Sequence, residues 1–211
     1  MWYHKRILTV LMLITATESA NSTTQFEVEP GVSVPVNVIP GSQFSDSHLR
    51  ILDQTIGQST LNDVMAKFSG SRESNSGDAA GSVKTVCLIG KDKSVVAFES
   101  GEMGSAKAQI TKVKLQSAPT TSTQEPACTP SRSVNRHIKL AGTGLNWSRQ
   151  QIEKDKGTPS AKLGDCIYYV YNSTQQSKSK TRVVDTMLKV CFTNGRSNRI
   201  ELSRIETHEP H

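Results

Sequence analysis

The sequence predicts an α+β fold: two tandem helix-plus-three-stranded antiparallel meander repeats, with the helices packed on one sheet face. Three observations carry this. A helix-capping signal opens an apolar helical period at Thr60 and again at Ser148. Each period ends at a breaker, Ser69-Gly70 in the first copy and Gly157-Thr158-Pro159 in the second. Each breaker is followed by alternating runs separated by turn residues, the signature of antiparallel strands, and recurrence of one pattern sets the architecture.

In chain order, Lys5 and Arg6 precede the apolar run Ile7 to Ile14, followed by the small residues Ala16, Ser19 and Ala20. This is the layout of a cleavable signal peptide over residues 1–20, with an apolar run too short to span a bilayer. No later segment is long and apolar enough for a membrane span, so the mature protein is expected to be periplasmic or secreted. Residues 21–45, rich in Ser, Thr, Pro and Gly, read as a flexible leader. Repeat one covers 46–115. A linker, 116–136, carries Pro119, Pro126 and Pro130 among serines and threonines. Repeat two covers 137–205, and 206–211 reads as a mobile tail.

In repeat one, Thr60 caps a helix bearing Leu61, Val64, Met65 and Phe68, with Asp63 at the positive end of the helix dipole. In repeat two, Ser148 and Gln151 fit a capping box. Strands are expected at Lys84 to Ile89, Val95 to Ser100 and Gln109 to Leu115. In the second copy they are Cys166 to Tyr171, Met187 to Thr193 and Arg199 to Ile205, with Asn194-Gly195 as a turn and a long loop over Asn172 to Val183. Alternation puts Val86, Leu88, Val96, Phe98, Ile167, Tyr169, Leu188, Val190 and Phe192 beneath the helices. The opposite face carries Thr85, Cys87, Ala97, Glu99, Cys166, Tyr168, Lys189, Cys191 and Thr193, polar enough to meet solvent or a partner.

The cysteines follow from that register. Pairing Tyr171 with Thr186 places Cys166 opposite Cys191, and Cys87 near Ala97, which leaves Cys128 as its mate. Of the three pairings that four cysteines allow, the expected disulfides are Cys166–Cys191 and Cys87–Cys128, in keeping with an oxidising compartment.

Ser148-Arg149-Gln150-Gln151-Ile152 with Gly157-Thr158-Pro159, followed by a meander, is similar to the helix-and-stop of the BamE (SmpA/OmlA) small-lipoprotein group, and the tandem use of this unit resembles the β-lactamase inhibitor protein fold. Leu140 to Ile205 matches in pattern; Ile56 to Leu115 carries an insertion, Arg72 to Gly81. The resemblance implies an exposed sheet face that grips enzymes, or a role in outer-membrane assembly. No lipid-attachment cysteine follows the apolar stretch, a departure from the lipoprotein.

Removal of residues 1–20 takes Lys5, Arg6 and Glu18 from the 25 basic and 19 acidic residues, leaving a net charge of +5. That is too mild to argue for nucleic acid, and the aromatics do not interleave with basic residues as a single-strand groove requires. No H-E-x-x-H, G-x-S-x-G, Walker loop or C-x-x-C occurs, so no catalytic residue, cofactor or metal is assigned. His208 and His211 fall short of a zinc site's ligand count. Candidate binding residues are Tyr168, facing outward beside a disulfide, its neighbour Lys189, and Lys178, Lys180 and Arg182 in the long hairpin loop. The expected function is that of an exported, non-enzymatic envelope protein that binds another envelope or secreted protein through its exposed sheet face. The alternatives are inhibition of a secreted hydrolase, or binding of an anionic envelope polymer or small ligand.

Overall fold

The computed structural model describes residues 24–78, 81–101, 108–117, 128–176 and 180–210. The expected signal peptide and Lys178 lie outside them. The first half of the chain forms β1 (Thr24–Glu29), β2 (Val32–Val36), β3 (Ile39–Pro40), β4 (Arg50–Ile51), β5 (Gln54–Thr55), α1 (Leu61–Lys67), β6 (Glu73–Asp78), β7 (Gly81–Ile89), β8 (Ser94–Ser100) and β9 (Lys112–Ser117). The second half forms β10 (Thr129–Pro130), β11 (Lys139–Leu140), β12 (Thr143–Gly144), α2 (Arg149–Lys156), β13 (Ala161–Leu163), β14 (Cys166–Gln176), β15 (Lys180–Thr193) and β16 (Arg196–Pro210).

Among the described residues, ten strands join in one sheet in the order β10-β7-β8-β9-β16-β15-β14-β13, with β6 also on β7 and β3 also on β14. The pairs β10–β7 and β3–β14 are parallel. This corrects the expected fold class. The protein is mostly β, 56 % strand against 14 % helical, and it is not built as two helix-plus-meander α+β repeats. The physical reason lies at the junction. Leu115 pairs with Ile200 and Val113 with Leu202, so β9 and β16 zip the two halves into one surface. Local alternation fixes which face a residue takes and carries no information about which edge meets which.

Three boundaries also differ from expectation. Residues 24–36, read as leader, form the hairpin β1–β2, because Phe26, Val28, Val34 and Val36 put an apolar stripe on one side of it. β6, with the sequence Glu-Ser-Asn-Ser-Gly-Asp, pairs along β7 through backbone hydrogen bonds, with polar side chains adding to them: Ser74 and Ser76 Oγ donate to Thr85 O and Val83 O, and Glu73 pairs with Lys84. Its lack of any apolar residue suits an edge and hides it from a reading based on alternation. The expected loop Asn172 to Val183 and the expected tail are largely strand: β14 pairs with β15 out to Gln176↔Thr181, and β16 pairs with β15 out to Pro210↔Lys180.

One face of the sheet holds the main core. Val86, Leu88, Val96, Phe98, Ile167, Tyr169, Leu188, Val190 and Phe192 all lie in it, on the side the alternation assigns. Leu61, Val64 and Ile152 of the two helices close over them. Each helix starts in a capping box: Thr60 with Asp63, and Ser148 with Gln151. Each is also preceded by a two-residue hairpin turn, Leu52-Asp53 and Ala141-Gly142, with positive φ at both positions as a type I′ turn requires. With seven and eight residues, neither helix is long enough to stand alone. The packing face and the cap together hold them.

The disulfides are Cys87–Cys128 and Cys166–Cys191, and Tyr171 pairs with Thr186. Both bonds lie on the face away from the main core and are consistent with an oxidising, exported environment. Among the described residues no helix is long and apolar enough to cross a membrane.

Candidate functional site

The register lays out the second face as rows that run across the strands. One row is Cys87, Ala97, Lys114, Glu201, Lys189, Tyr168. The rows on either side carry Glu99 and Lys112, and Gln116, Arg199 and Cys191. Period-2 alternation puts all of these on one side, and the β9–β16 junction brings charges from the two halves together.

The hairpin β1–β2 covers one end of this face. Val28 and Val36 pack with Ala161, Tyr168 and Val170 into a second, smaller core. A polar lock holds the hairpin there. Tyr168 Oη donates to Glu29 Oε1 at 2.8 Å, and Lys189 forms an ion pair with the same oxygen. Lys189 also lies 3.8 Å from Glu201 Oε1. Burial pushes the Glu29 carboxyl up, but the hydrogen bonds from Lys189 and Tyr168, with the charges of Lys189 and Arg199, outweigh it and leave Glu29 titrating below its usual range. Burial, and then the Glu29 hydrogen bond, push the Tyr168 hydroxyl well above its usual range.

The lock has a pH dependence of fixed sign. A carboxylate whose pKa is depressed on folding contributes stability above its ordinary pKa of 4.5 and loses it as pH falls through the folded value. Amides of residues 24–36 are expected to lose hydrogen-exchange protection in that acid window before the β14–β16 amides do. Glu29→Gln, which keeps the shape and removes the charge, is expected to reproduce the loss at neutral pH, at a local cost of about 1–2 kcal/mol. Equal protection of the hairpin in both proteins would contradict the lock.

Beyond the hairpin the face is open. A groove of about 580 Å³ lies between β6 and the β9–β16 junction, with Ser74, Asn75 and Ser76 on one wall and Glu99, Lys114 and Glu201 along its floor. Its charges are paired in place. Glu99 lies 2.6 Å from Lys114 Nζ and 3.7 Å from Lys112 Nζ. Glu201 Oε1 lies 3.2 Å from Arg199 Nε. The Glu99 side chain is 11 % exposed and that of Glu201 14 %, so each carboxylate is largely withdrawn from solvent beside the cations that pair with it. The Cys87–Cys128 bond borders the same groove.

All four cysteines are in disulfides, which leaves no thiol nucleophile, and the two floor carboxylates are each tied to cations. Among the described residues no group of three or more His, Cys, Asp and Glu could hold a metal ion.

The structure places the expected binding residues as follows. Tyr168 and Lys189 do sit on the second face, side by side, but they are 1 % and 4 % exposed beneath the hairpin. They therefore hold β1–β2: Tyr168 takes the expected face, and the correction is to its exposure, since the hairpin covers it. Arg182 is occupied: its Nε and Nη2 donate to Glu206 Oε2 and Oε1 at 3.1 and 2.5 Å. Burial pushes Glu206 up, but Arg182 and Arg204 outweigh it and hold its carboxyl below the usual range. Lys180 pairs in strand with Pro210, and Lys178 lies outside the described residues. The groove residues Lys114, Arg199 and Glu201 escape a sequence reading because they come together only through the β9–β16 pairing. Alternation can assign Lys114 and Glu201 a face, but not a neighbour.

Comparison of the chain with known protein families, with curated proteins and with solved structures finds no match.

Proposed function

We propose that this protein is an exported, non-enzymatic recognition module of the cell envelope or its surroundings, which binds another protein across the uncovered part of the second sheet face. The observation that supports this reading is the groove between β6 and the β9–β16 junction. Its floor alternates cations and carboxylates, each already fixed by a neighbour: Glu99 by Lys112 and Lys114 on the adjacent strand, and Glu201 by Arg199 two residues along the same strand. Fixed charges of both signs favour one register of an incoming chain and penalise others. A small-molecule pocket is more enclosed and mostly apolar; this groove mixes charged and hydroxyl-bearing side chains with Val95 and Ala97, the mixed composition of a protein interface. The two disulfides and the sheet beneath keep that surface preformed, which lowers the ordering cost of binding.

Site-specific photocrosslinking in cells that export the protein tests the reading. A crosslinker at Asn75, on the exposed groove wall, is expected to capture one discrete protein. The same group at Lys154 on α2 is expected not to, and Lys114→Glu combined with Arg199→Glu is expected to abolish the adduct at Asn75. The same adducts from Asn75 and Lys154, or an adduct indifferent to the charge reversals, would overturn it.

A further inference from the structure

We propose a second binding site, for an anionic polysaccharide bearing sulfate or phosphate esters, at the tip of the β7–β8 hairpin. It is distinct from the groove and stands whether or not the groove has a partner. Two neighbouring depressions of about 600 and 360 Å³ share a wall made by Lys91 and Arg132. The larger is completed by Arg136 and His137. Lys91, Arg132, Arg136 and His137 are all exposed, and among the described residues none of the three cations Lys91, Arg132 and Arg136 forms an ion pair.

Asp92, the sole carboxylate lining either depression, is already engaged. Its Oδ1 accepts from Ser94 N at 3.1 Å and its Oδ2 from Arg136 N at 2.5 Å. The acid therefore anchors the loop backbone, and the Arg136 side chain stays free.

The segment that carries the arginines is clamped at several points. Cys128 is bonded to Cys87, β10 runs parallel beside β7, and Ser131 N donates to Ile89 O at 2.8 Å. Val134 is buried in the main core. Gly90 allows the close approach, since a Cβ there would lie 2.2 Å from Val134 O. Unpaired cations on an irregular but fixed loop repel one another. Nothing in the fold requires them to cluster, and the geometry suits a ligand carrying several separated negative charges. No Phe, Tyr or Trp lines either depression, so bases have no stacking platform. The exposed large apolar residues Val32, Val38, Leu163 and Ile205 lie elsewhere, so a membrane surface has no anchor there. A polysaccharide needs neither.

The test measures binding of a heparin oligosaccharide to the full-length mature protein over a salt series. Lys91→Ser with Arg132→Ser and Arg136→Ser is compared with a control of equal charge change, Lys67→Ser with Lys84→Ser and Lys162→Ser. The site variant is expected to bind at least tenfold more weakly near 50 mM salt, and to lose about two to three from the slope of log K against log salt, at roughly 0.7–0.9 for each anionic group no longer neutralised. The control is expected to keep most of both. In the unaltered protein, heparin is expected to protect Lys91 from acetylation more than Lys67, a readout that survives if the triple variant does not fold. An equal loss in the control, equal protection of the two lysines, or equally tight binding of single-stranded DNA or of phosphatidylglycerol vesicles would overturn the proposal.

Discussion

Phe98→Ala is expected to lower the stability of the whole protein by about 3–5 kcal/mol, the usual range for emptying a fully buried aromatic site. Phe98 is at the centre of β8, pairs with Val86 on one side and Val113 on the other, and is 0 % exposed in the main core. The wall of such a cavity is sheet backbone hydrogen-bonded on both sides, which cannot collapse inward to fill it. For a chain of this size the change corresponds to a fall in melting temperature of roughly 6–20 °C. Denaturant titration followed by both tryptophan fluorescence and far-ultraviolet circular dichroism checks it. Coincident curves at the lower midpoint are expected, since one sheet joins the halves.

The second large effect concerns the Cys166–Cys191 bond. Its cysteines are 25 residues apart in sequence, and closing a loop of that length restricts the unfolded chain by about 3.5 kcal/mol in the chain-entropy model. The double variant Cys166→Ala with Cys191→Ala is expected to remain folded, because Ile167–Val190 and Tyr169–Leu188 keep the register on the core side. Its midpoint is expected to fall as far as that of Phe98→Ala. The single variant Cys191→Ser is expected to expose one titratable thiol after denaturation, where the unaltered protein has none. An unchanged thiol count and unchanged stability would show that this pair is not joined.

Legibility follows the range of the interaction. The helix caps at Thr60 and Ser148, the faces of Val86, Phe98, Ile167 and Val190, and the Cys166–Cys191 bond can be read because each depends on neighbours in sequence or on a single hairpin, and Cys87–Cys128 then follows by elimination. The fold class cannot. The pairing of Leu115 with Ile200 joins chain segments with no local signal, and it converts two expected units into one sheet. β6 escapes because it pairs without apolar residues. β1–β2 escapes because serines, threonines and a proline obscure the alternation of Phe26 and Val28. The burial of Tyr168 follows from that second omission: alternation gives its face correctly, but the hairpin covering it reads as a flexible leader. The basic loop is hidden for a related reason. Lys91 and Arg132 are far apart in sequence, and the Cys87–Cys128 bond with the Asp92 anchor brings them to one wall.

The groove floor is a single sheet spanning both halves of the chain. Native-state hydrogen exchange over a denaturant series tests it most directly, by comparing amides of Val96 and Phe98 in one half, Leu188 and Val190 in the other, and Leu115 and Ile200 at the junction. One shared opening free energy with one denaturant dependence is expected at all six, and an equal drop at all of them in Phe98→Ala. If Leu188 and Val190 keep their full protection in that variant while Val96 loses its own, the halves open independently and the groove has no continuous floor.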